Sequence, residues 1–149
     1  SHNDHAIIVV PNYQSAETIP LDICEVSGVP LNPEENWSLD IDRIKNEIRP
    51  NTKLISINFP NNPTGAILAR ERLDELINIC RQSGLYLFSD EVYRLMEHDI
   101  RLRLPQVGDI YERGLSLNVM SKAYGLPGLR LGWIMCKDET ILQKMQIQI

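Results

Sequence analysis

The chain has 149 residues, 43% of them hydrophobic and 23% charged, which is material for one ordinary globular core. A formal net charge of −5 argues against the basic face that non-specific nucleic-acid binding needs. No apolar run reaches the length of a bilayer span or opens a secretory signal, and Cys24, Cys80 and Cys136 are too few and too far apart for a disulfide framework or a zinc site, so a cytoplasmic protein with free thiols and no metal is expected.

His2 and His5 stand among Asn and Asp at the start of the chain and read as a frayed terminus rather than a metal site. Ala6 to Val10 is a β-branched apolar run closed by Pro11, the pattern of a strand buried on both faces. Tyr13 follows in the loop. Ser15 to Leu21 reads as a short helix, Ile23 to Val26 as a second strand, and Pro30 to Trp37 as a loop. From Asp40, a capping residue, Ile41, Ile44 and Ile48 recur at helical spacing until Pro50 stops the run.

Lys53 to Asn58 is the next strand, and Phe59 to Gly65 is built from turn formers. A long helix is predicted from about Ala69 to Ser83, with Leu73, Leu76, Ile77 and Cys80 on one stripe and Gly84 as its stop. Tyr86 to Asp90 is a strand ending on an acid. Arg94 to Gly114 shows no clear pattern. Leu115 to Met120 and Leu131 to Cys136 read as strands, and Glu139 to Ile149 as a helix with Ile141, Leu142 and Met145 inward. Strands alternating with helices predict an α/β fold, a mostly parallel sheet with helices on both faces. Ligands of such sheets sit beyond the carboxyl ends of the strands, and Asn62, Asp90 and Lys122 each fall at or just past such an end.

Lys122 carries the strongest chemical signal. A lysine delivered by an apolar strand into a loop with Gly125, Gly128 and Gly132 can lose water, and a desolvated amine forms Schiff bases with carbonyls. Arg130 further on offers a planar fork for phosphate. An amine with a phosphate clamp suggests pyridoxal phosphate. Asp90 suits a helix cap, and equally the protonated nitrogen of a pyridine ring. Glu91 beside it points to the opposite face, so the two acids do not form a working pair. Asn62 fits turn chemistry or donation to a ring oxygen, and Tyr93 fits a half-buried core position or the same oxygen.

Taken together, Val10-Pro-Asn-Tyr13, Asn58-Phe-Pro-Asn-Asn-Pro-Thr-Gly65, Ser89-Asp-Glu-Val-Tyr93 and Ser121-Lys-Ala-Tyr-Gly-Leu-Pro-Gly-Leu-Arg-Leu-Gly-Trp133 resemble the class I/II aminotransferases, the fold type I pyridoxal-phosphate enzymes. The resemblance implies pyridoxal 5′-phosphate as cofactor, amino acid and 2-oxo acid as substrates, and a homodimer. It implies that Lys122 forms the aldimine and shuttles the proton, that Asp90 pairs with the ring nitrogen, and that Asn62 and Tyr93 meet the ring oxygen. It further implies that Tyr13 stacks on the ring, that Arg130 holds the phosphate, and that the bond before Pro63 is cis. Many members carry a hydroxyl three positions before the lysine; here that residue is Val119, which implies either a weaker phosphate grip or a part for Ser121.

The resemblance also makes residues 1–149 a partial large domain, without the first phosphate-binding loop and the C-terminal small domain. Such a piece is expected to expose apolar surface and to be inactive alone. It admits two other functions: a lyase of the same fold, or an aminotransferase-like cofactor-binding sensor domain of a transcription regulator.

Overall fold

In the computed structural model, which describes residues 1–146, the strands are β1 (His5–Val10), β2 (Glu25–Pro30), β3 (Thr52–Asn58), β4 (Tyr86–Asp90), β5 (Gly114–Val119) and β6 (Gly132–Cys136). The helices are α1 (Gln14–Leu21), α2 (Ile41–Glu47), α3 (Arg70–Ser83), α4 (Val107–Ile110) and α5 (Glu139–Gln146). One six-stranded sheet has the order β2-β1-β3-β4-β5-β6. The first five strands run parallel, and β6 lies antiparallel to β5.

Side-chain alternation along the strands separates two faces. Ile7, Val9, Ile55, Ile57 and Leu87 point to one, where they form the core with Ile41 and Ile44 of α2, Leu73, Leu76, Ile77 and Cys80 of α3, and Val107 of α4. Asp40 caps α2 by accepting from the N–H groups of Asp42 and Arg43 at 3.0 and 3.3 Å, and Gly84 ends α3 in the left-handed region at φ 66°. The other face carries Leu54, Ser56, Phe88, Asp90 and Leu117, and α1 crosses part of it.

Several expectations shift. The second strand is Glu25–Pro30, not Ile23 to Val26; Ile23 lies exposed in the connection from α1. As the edge strand β2 pairs only with β1, and Pro30 at its end is tolerated there. The loop from Pro30 contains a single 3-10 turn, Pro33–Glu35. The stretch from Arg94 to Gly114 holds another, Ile100–Leu102, and the short α4. In α5, Ile141 and Leu142 are half-buried but Met145 is exposed, and residues 147–149 of the expected helix lie outside the described residues.

His5 is no frayed end. It opens β1 fully buried, with Nδ1 2.8 Å from Thr52 Oγ1 and Nε2 3.0 Å from Ser27 Oγ. The Thr52 hydroxyl oxygen also accepts the Arg49 N–H at 2.8 Å, which ties His5 to the turn after α2. Burial, then the Arg49 charge, hold its pKa below the ordinary 6.5.

Candidate active site

The parallel strands β1, β3, β4 and β5 all end at the same edge of the sheet, and β6 starts there opposite Val119. Tyr13, Asn62, Tyr93, Lys122 and Arg130 follow or precede those ends, with Asp90 the last residue of β4. One physical cause, the parallel register, therefore gathers residues scattered along the chain.

Two hollows that share no lining residue are lined by residues of these strand ends. The first, of about 350 Å³, has Leu54, Ser56, Phe88, Leu117 and Asp90 on its sheet side and Tyr13, Ala16 and Ile19 on its helix side. The second, of about 320 Å³, is lined by Asn62, Tyr93, Pro63, Met96 and His98 among others. Asp90 Oδ1 accepts the Val92 N–H at 3.1 Å. Burial pushes the Asp90 pKa above the usual carboxylate value, a rise that the Val92 hydrogen bond and the Lys122 charge offset only in part. The Lys122 ammonium lies 5.3 Å from the centre of the Tyr93 ring, within cation–π range.

The expected desolvation of Lys122 is not found, because the residue is exposed. β5 ends at Val119, and a turn carries Lys122 beyond the sheet, held by bonds from Gly125 N–H to the Lys122 carbonyl at 2.9 Å and from Leu126 N–H to the Met120 carbonyl at 3.0 Å. Met120 N–H donates to the Leu131 carbonyl at 2.9 Å and so ties this turn to the segment of Arg130, which is exposed and left-handed at φ 49°. Lys122, the half-buried Ser121 and Arg130 line neither hollow. Val119 packs instead of ligating: a Cβ built on Gly132 would stand 3.1 Å from its Cγ1.

Asp90 and Glu91 do face opposite sides. Glu91 is buried beneath the edge, where Oε1 accepts from Val107 N–H at 3.0 Å and from the Ser116 hydroxyl at 2.7 Å. Burial raises its pKa as well. The peptide bonds before Pro11, Pro60 and Pro63 are cis; only the last was expected.

Sequence reasoning missed the amides beneath the site. Asn58 and Asn61 are buried. Asn61 Nδ2 donates to the Pro11 carbonyl at 3.0 Å, while its Oδ1 accepts the Thr64 N–H at 3.1 Å and the Thr64 hydroxyl at 2.7 Å. The available signal was polarity at the end of an otherwise apolar strand, where a buried amide needs partners.

Fold and candidate site define an α/β protein whose sheet edge carries an amine, a half-buried carboxylate and aromatic side chains. The family model described as "Aminotransferase class I and II" matches residues 1–149. Capreomycidine synthase of Streptomyces vinaceus is 30% identical over 146 residues, 97% of this chain and 37% of that protein. Aromatic-amino-acid aminotransferase 2 of Thermococcus litoralis is 30% identical over 146 residues, 96% and 37% of the two chains. The crystal structure of a PLP-dependent aminotransferase from Streptococcus suis matches with a TM-score of 0.84 and 39% identity, covering 91% of this chain and 36% of that one. The chain belongs to the class I and II aminotransferase family and spans 37% of the length of these curated relatives.

Proposed function

We propose that the protein carrying this chain is a pyridoxal-phosphate-dependent aminotransferase, moving an amino group from an amino acid to a 2-oxo acid. The observation that carries the reading is Asp90 and Tyr13 lining one apolar hollow at the sheet edge, with the Asp90 carboxylate of raised pKa and Lys122 near enough for its charge to act on it. A carboxylate so placed lacks a cationic partner of full strength, and the protonated nitrogen of a pyridine ring supplies one. Asp90 and Tyr13 therefore fit the ring of the cofactor, while Ser121 and Arg130, the residues assigned to its phosphate, stand outside both hollows.

When bound, pyridoxal phosphate supplies an aldehyde and an electron-accepting ring. Lys122 would offer its amine to that aldehyde and would then hold and return a proton at Nζ. Asp90 would keep the ring nitrogen protonated. Asn62 and Tyr93 would hold the ring oxygen, Tyr13 would pack against the ring, and Arg130 with Ser121 would bind phosphate. In this reading residues 1–149 are the cofactor-facing part of a larger domain, the enzyme works as a homodimer, and the free thiols of Cys24, Cys80 and Cys136 suit the cytoplasm.

The test is to add pyridoxal phosphate to the full-length protein and record its absorbance and its amino-transfer activity. A cofactor band present in the native protein and lost in Lys122→Ala, together with activity, is expected. A native protein whose cofactor band persists unchanged in Lys122→Ala, or that shows no such band, sinks the assignment.

A further inference from the structure

Asn58 is the last residue of β3, and its Cα pairs with that of Asp90, the last residue of β4. Beyond this rung the two chains part, one toward Asn62 and the other toward Tyr93. The Asn58 side chain, 2% exposed, fills the gap. Its Nδ2 donates to the Asp90 carbonyl at 3.0 Å, and its Oδ1 accepts the Asn62 N–H at 2.8 Å. One planar amide thus holds the main chains of two residues at a fixed separation, and an amide has the donor and the acceptor this needs.

We propose that Asn58 is a positioning residue of the active site: its amide sets the spacing between Asp90 and Asn62, so that both reach their own atoms of one cofactor ring. The proposal rests on the cofactor reading above. Asn58 touches neither cofactor nor substrate in it and acts through the two residues it ties. A buried amide at this rung serves no apolar packing, and replacing it by a hydrophobe leaves the Asp90 carbonyl and the Asn62 N–H to find other partners. Asn61 steadies the same loop from the other side through Pro11, so the loop keeps its general course when Asn58 is replaced.

The experiment compares native, Asn58→Leu and Asn58→Asp forms of the full-length protein by three measurements: hydrogen exchange at the Asn62 amide without cofactor, affinity for pyridoxal phosphate, and the pH profile of the bound cofactor's absorbance. In Asn58→Leu the Asn62 amide exchanges faster, and cofactor affinity falls by about 10- to 100-fold, the effect of unpairing buried polar groups. Asn58→Asp is nearly isosteric and covers the case in which the leucine variant fails to fold. It keeps an acceptor for Asn62 but loses the donor to Asp90, so it preserves slow exchange while weakening affinity and shifting the absorbance profile. Variants that fold, bind cofactor within twofold of native and keep the native profile overturn the proposal. A native protein without a Lys122-dependent band overturns the cofactor reading and this proposal with it, whereas a native band with unaltered variants overturns this proposal alone.

Discussion

Asp90 and Glu91 show how neighbouring acids acquire different tasks. Both have raised pKa values through burial, yet Glu91 is bonded to Ser116 and Val107, whereas Asp90 borders an open hollow and has only Val92 at its Oδ1. Ionised Asp90 attracts a protonated ring nitrogen and neutral Asp90 does not, so cofactor affinity is expected to fall as pH drops through its raised value. Asp90→Asn should flatten that dependence and weaken binding by about tenfold or more, since a charge-assisted bond contributes roughly 1.5–3 kcal/mol; titrations with pyridoxal phosphate at several pH values measure both. At the opposite end of the sheet His5 predicts a different pH effect. Its folded pKa lies below the ordinary 6.5, so the unfolded chain takes up the proton first as pH falls. Stability is therefore full above that value and declines below it until the folded pKa is reached. Denaturant melts between pH 8 and pH 5 should show this decline, and His5→Gln should reduce it.

Among the elements, α4 is the one whose sequence gave least warning and whose packing is tightest. A Cβ on Gly108 would collide with the main-chain carbonyl of Met135 in β6, so glycine is what lets the short helix lie against that strand. Gly108→Ala is expected to lower stability by about 1–3 kcal/mol, the range for overpacking a rigid neighbour, as read from equilibrium unfolding. Val107-Gly-Asp-Ile110 is too short for a helical period to register, which is why it went unread. α3 was legible for the opposite reason: Leu73, Leu76, Ile77 and Cys80 repeat over several turns and end on a left-handed glycine. The parallel strands could be read from their β-branched runs, but the reversed direction of β6 could not, because local alternation is the same either way. Asn62, Asp90 and Lys122 were proposed from their places at or after strand ends, and the role of Tyr13 from the resemblance. Asn58 and the burial of His5 were not, since a side chain's partners come from distant segments that no local pattern encodes.

For the molecule as a whole, the edge that gathers the site is also its most open part. Lys122, Arg130 and Tyr13 are exposed, and so are Leu126, Leu129, Leu131 and Trp133 along the loop into β6, with Tyr124 and Trp133 rings 6.3 Å apart. Water competes for every donor aimed at a phosphate or carboxylate. The apolar side chains beside them call for cover of the same kind. On the proposed function an exposed Lys122 calls for cover that the described residues do not give it, and the chain spans 37% of the curated relatives. Residues 1–149 produced alone are accordingly expected to bind a dye specific for exposed apolar surface and to show no steady amino transfer under conditions in which the full-length protein turns over. Sustained transamination by the 149 residues alone, at a rate comparable to that of the longer protein, would show that an exposed Lys122 suffices and that the surrounding apolar surface serves some other end.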